Sequence, residues 1–226
     1  MANTKISALP TWSGTAADLR WFVMNNSGQT ETFKFSGYSA QLIPGTGPGT
    51  TYRTPTATAA GTDSIAIGDG ASVPSGLDNI AIGHNATNTG GNRSTTVGSV
   101  ATAGDAGTSL GWGSDATGLA ALAIGYDGKA NAAYSISIGA SSEATAANAV
   151  VIGADFICSV AQSTIVGGKT NKIAGAGSYN SIFGSFNSNI SGTTTYSTIL
   201  GGNSNTIANK TNAHMIGCSG RTSTTS

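Results

Sequence analysis

The chain has 226 residues, no net charge, 38% hydrophobic residues, 33 glycines, and only 9% charged and 7% aromatic residues. Globular enzymes carry about 25% charged residues, and disordered chains pair few apolar residues with high net charge. A charge-poor, Gly-rich chain with recurring Ile fits neither class and points to narrow, regularly turning backbone.

The opening "MANTKISALP" holds one Lys and no apolar run, so no signal peptide is expected. No apolar stretch of about 18 residues predicts a membrane span. Six of the fifteen aromatics, Trp12, Trp21, Phe22, Phe33, Phe35 and Tyr38, fall in the first fifty residues. "LRWFVMNNSGQTETFKFSG" predicts a hairpin: strand 19–24, a turn at Asn26, Ser27 and Gly28, then strand 29–35. A unit of about 45 residues is marginal alone. Residues 1–45 are therefore expected to pack on copies of themselves or on a host surface. The attachment residues would be Ile6, Leu9, Pro10, Trp12, Trp21, Phe22, Phe33 and Phe35. Residues 46–62, within "PGTGPGTTYRTPTATAAGT", read as a linker.

A repeat begins at residue 63. Glycines 68, 83, 98, 111, 125, 139, 153, 167, 184, 201 and 217 recur at spacings of 13 to 17 residues. Each follows a large apolar residue: Ile67, Ile82, Val97, Leu110, Ile124, Ile138, Ile152, Val166, Phe183, Leu200 and Ile216. Alternation around a small residue, as in Ile65-Ala66-Ile67, predicts a short strand. A weaker second strand follows, with Val73, Ala103, Ala116, Ala130, Ala144 and Cys158 each five residues after the glycine. Strand, turn, strand, turn in about 14 residues is one coil of a parallel β-roll or β-solenoid, all-β, with about eleven coils over roughly 50 Å. The residues before the glycines are expected to form the core stack, each contributing about 1.5–3 kcal/mol.

The pattern changes near residue 160, separating repeats at 63–160 from longer ones at 161–226. The position three before the glycine turns polar at Thr164, Ser181, Thr198 and His214. The position two before it turns bulky at Val151, Ile165, Ile182, Ile199 and Met215. Strands apolar on both faces need a second partner surface. Ile165, Ile182, Ile199 and Met215 are therefore expected at an interface between subunits. Ile173, Ile190 and Ile207, each six after its glycine, add a second late pattern.

Chemistry is sparse. His84 and His214 lie 130 residues apart; the first is expected in an exposed turn and the second in a packed or interface position. Cys158 stands where neighbouring coils have Ala and reads as a small core residue. Asp69, Asp115 and Asp127 recur in predicted turns without the glycine spacing of calcium-binding rolls. "GTGPGT" lacks the Gly-Lys-Ser/Thr of a phosphate loop. No enzyme, cofactor or metal site is expected. After residue 155 the only charges are Lys169, Lys172, Lys210 and Arg221, a basic far end suited to solubility or to acidic glycans. Nucleic-acid binding is not expected of so few cations.

"SIAIGDGAS", "NIAIGHNAT", "LAIGYDGKANA" and "ISIGASSEATA" resemble the head repeats of trimeric autotransporter adhesins. That resemblance covers about residues 63–160, more loosely to 217, and implies a left-handed β-roll in a homotrimer. Lys5, Ile6, Ser7, Leu9 and Pro10 are similar to the N-terminal attachment segments of bacteriophage fibre proteins. Together the two imply a phage virion fibre assembled in the host bacterial cytoplasm. It would be anchored to a capsid or tail protein by its N-terminus, with a head fibre favoured and host-surface glycans as a target. A tail fibre or receptor-binding protein, and a bacterial trimeric adhesin fragment, remain as alternatives. An ice-binding solenoid is disfavoured because the Thr rank at 164 and 198 is broken by Ser181 and His214.

Overall fold

The computed structural model describes residues 43–44 and 52–224, which form strands and turns with no helix. The predicted hairpin at 19–35 and the attachment residues lie outside the described residues. The chain winds as a parallel β-solenoid of about eleven turns between a 13-stranded and a 12-stranded sheet. Each coil gives one strand to the first sheet, such as Ile136–Ile138, and one to the second, such as Glu143–Ala144. Ile43–Pro44 pairs antiparallel with Tyr52–Arg53 and covers the first edge of the larger sheet. Parallel pairing begins at Tyr52, within the stretch read as a linker.

Register holds coil to coil: Ile136 pairs with Val150, Ser137 with Val151 and Ile138 with Ile152. From Gly68 to Gly139 the closing glycine makes this close stacking possible. Gly139 has φ +134°, and a Cβ there would lie 1.8 Å from the carbonyl oxygen of Gly153 in the next coil. No side chain fits that gap, and L-residues rarely adopt that backbone conformation.

The interior departs from expectation. In each first-sheet strand the middle residue points inward. Ala66, Ala81, Thr96, Ser109, Ala123 and Ser137 are buried in the early coils, and Val151, Ile165, Ile182 and Ile199 in the later ones. The predicted core stack therefore faces outward in the chain. Ile67, Leu110, Ile124, Ile138 and Val166 are half-buried, while Ile82, Val97, Ile152, Phe183, Leu200 and Ile216 are exposed. Likewise Ile165, Ile182 and Ile199 are buried inside their own chain, with Met215 packed against the same cluster, so they are not a subunit interface. The reason is room. Across from the inward Ala and Ser of the early coils stand Ala103, Ala116, Ala130 and Ala144 on the second sheet. Among these facing strand positions only Val73, Asn88 and Thr96 are larger, so the early interior is filled mostly by small side chains.

The late coils are longer and wider. There Ile165, Ile182 and Ile199 share one apolar cluster with Ile173, Ile190 and Ile207 of the second sheet. Phe156, the one buried aromatic among the described residues, sits at the change of width, against Gly153. Polar interior groups are satisfied by ladders between coils. Asn79 Oδ1 accepts from the Ser94 amide at 2.9 Å, and Asn171 Oδ1 accepts from the Ser188 amide at 2.9 Å.

Ile182→Ala is expected to lower the unfolding free energy by about 2–5 kcal/mol in a urea titration. An unchanged midpoint would contradict the inward placement of Ile182.

Candidate functional site

The two sheets present unlike outer faces. On the first, the residues three and one before each glycine point out. From Ile65 and Ile67 to His214 and Ile216 they include no Asp, Glu, Lys or Arg. The residue one before each glycine is apolar in every coil from Ile67 to Ile216. Ile65, Ile80, Leu122, Ile136 and Val150 join it three before, while Thr95, Thr108, Thr164, Ser181, Thr198 and His214 hold the remaining places. The continuous apolar rank is far longer than the scattered apolar residues of an ordinary soluble surface.

The second sheet's outer face is polar. Its central row runs Thr102, Asp115, Lys129, Glu143, Ile157, Lys172, Asn189 and Thr206, in register from coil to coil. Lys129 Nζ donates to Glu143 Oε1 at 3.2 Å. That hydrogen bond, then the Glu143 charge, raises the Lys129 pKa. Asp115 therefore lies in a strand beside this pair, not in a turn, whereas Asp69 occupies a turn and Asp127 a bend.

Further along the same face is a cleft of ≈ 380 Å³. Three coils build it. Ile157, Lys172 and Asn189 align across it. Two residues earlier on the same outward side stand Asp155, Thr170 and Asn187, and Ala174 and Ser191 lie two residues later. Asn189 Oδ1 is buried without a hydrogen-bond partner. Neighbouring Asn171 spends its amide inside the roll, donating to Ser185 O at 2.5 Å.

Aromatic residues form two exposed stacks at coil spacing. Trp112 and Tyr126 lie 4.8 Å apart at 13°, and Tyr179 and Tyr196 lie 5.0 Å apart at 9°. Such pairs stabilise adjacent coils modestly. His84 is exposed in its turn, and His214 is exposed at the far end of the apolar face. The basic residues Lys169, Lys172 and Arg221 are exposed and Lys210 is half-buried. Among the described residues no three His, Cys, Asp or Glu side chains cluster as metal ligands would, and no helix is long and apolar enough to cross a membrane.

Cys158 is buried in the late core, its thiol directed at the carbonyl oxygens of Val160 and Ser163 at 3.7 and 3.6 Å. Sequence reasoning found this residue and the row spacing but missed the cleft. Its polar residues recur at the 15- and 17-residue offsets that separate these coils, a signal visible only once the strands are aligned. No protein-family model matches the chain, and no curated protein matches it significantly.

Burial pushes the Cys158 thiol from 9.0 up to about 11. The unfolded thiol ionises near pH 9 while the folded one keeps its proton, so stability is full below pH 9 and falls as pH rises toward 11. The expected loss is on the order of 3 kcal/mol. Unfolding titrations at stepped pH check this, and Cys158→Ala should remove that part of the pH dependence.

Proposed function

We propose that this chain is a non-enzymatic structural protein of a phage virion, a short homotrimeric fibre anchored by its N-terminal segment. A capsid head fibre is the favoured placement. The observation that carries the proposal is the unbroken apolar rank one residue before each glycine on the first sheet, from Ile67 to Ile216. Left in water it would be a costly and sticky surface. Its ranks repeat at the coil rise, so a second copy of the same chain laid parallel to it matches rank to rank. The interface of the proposed fibre is therefore the row from Ile65 and Ile67 to Leu200 and Ile216, and the polar second sheet faces solvent. The adhesin-like "SIAIGDGAS" repeats and the fibre-like "TKISALP" opening support the trimer and the virion anchor respectively. The cleft on the solvent side of the late coils favours, as a second reading, a receptor-binding tail fibre.

Ile124→Glu combined with Ile138→Glu places two carboxylates on the strip without touching the interior. Light scattering should show three chains per particle for the wild type and one for the double variant, with β-rich circular dichroism retained in both. A wild-type monomer, or an unchanged trimer in the variant, would overturn the interface. Placement is tested by immunogold microscopy of phage from the source lysate with antibody to residues 63–226. Gold on capsids is expected, gold on tails favours the second reading, and bare particles of every kind would overturn the virion role.

A further inference from the structure

We infer that the cleft on the outer face of the second sheet, over Ile157, Lys172 and Asn189, binds a neutral saccharide unit. This gives a place to the receptor binding of the second reading, and it stands on the geometry of a single chain.

The cleft's ≈ 380 Å³ falls within the range of small-molecule sites. Its chemistry is mixed: the Asp155 carboxylate, the Lys172 ammonium, the amides of Asn187 and Asn189, and the hydroxyls of Thr170 and Ser191 surround Ile157 and Ala174. Its formal charge sums to zero, one acid against one base, which suits a neutral ligand better than a phosphate. Donors and acceptors around a small apolar patch match a sugar ring, which carries hydroxyls on its edge and C–H groups on its faces.

None of these six polar side chains makes a hydrogen bond to another described residue. Asn189 Oδ1 is the sharpest case, since buried polar atoms are ordinarily paired. Rotation of that amide toward the cleft breaks no bond and meets a ligand hydroxyl there. The strands beneath, in contrast, are paired on both sides. The Lys172 amide donates to Ser188 O at 2.9 Å and the Asn189 amide to Asn205 O at 2.8 Å, so no free strand edge is left for a peptide to pair with. Recognition at this place has to come from side chains. In the proposed trimer the cleft points away from the apolar strip, and three copies would add avidity for a surface that repeats its sugars.

The test is saturation-transfer NMR on the full chain with maltotriose, cellotriose and diacetylchitobiose as neutral probes, and inorganic phosphate and glucuronate as anionic ones. Saturable transfer to at least one neutral probe is expected. Asp155→Asn and Asn189→Ala should each weaken it by about tenfold, the loss of a single good hydrogen bond. Thr102→Val, on the same face but outside the cleft, should leave it unchanged, and thermal midpoints of all variants confirm folding. No transfer to any neutral probe, transfer undiminished in both cleft variants, or binding of the anions alone would overturn the site. Light scattering on the same samples separates the two proposals. A monomer that binds overturns the assembly and keeps the site, whereas a trimer that fails to bind overturns the site alone.

Discussion

The narrowness of the early roll governs the rest of the structure. Consecutive coils are held at the spacing of a parallel hydrogen-bonded ladder. At Gly139 they approach so closely that a methyl group would collide with the next carbonyl. The two sheets face each other across Ala123 and Ser137 on one side and Ala130 and Ala144 on the other. With so little depth, an Ile has no place inside. The large apolar residues of the first sheet are turned outward, and the molecule carries its second hydrophobic surface on the exterior.

This inversion links local geometry to assembly. An ordinary domain hides its large side chains and needs no partner. Here the interior of the early coils is sealed by small side chains and by hydroxyl pairs such as Ser137 and Ser142, whose oxygens lie 2.7 Å apart. The Ile and Leu residues one before each glycine stay on the exterior, which is what the proposed assembly rests on. Where the coils lengthen, the balance shifts. Facing Ile pairs fill the wider lumen, Phe156 closes the step between the two widths, and the outer rows of the second sheet become a polar cleft. The widening that admits Ile165 also separates the outward residues of neighbouring coils in sequence by 15 and then 17 positions.

Much of the fold was legible in the residues. The glycine period gave the coil, the Ile-Ala-Ile alternation gave the strand, and the change near residue 160 gave the boundary between two kinds of coil. The direction of the side chains was not legible from alternation alone. A period of two places Ile65 and Ile67 on one face and Ala66 on the other, and it is silent about which face is inside. Assigning the larger residues to the interior is sound for most sheets and fails in the early coils, where mostly small side chains from the two sheets face each other. Uniformly small residues at the middle position, from Ala66 to Ser137, were the available sign. The cleft was less legible still, since Asp155, Lys172 and Asn189 become neighbours only through the register of three separate coils.

The most direct measurement of this account is a cryo-electron microscopy reconstruction of the purified full chain, at a resolution that separates the two sheets. Three parallel rolls around a threefold axis, with the Ile65-to-Ile216 strip inside and the second sheet facing solvent, is the arrangement predicted. Isolated rolls, or an assembly with the polar second sheet at its centre, would contradict it.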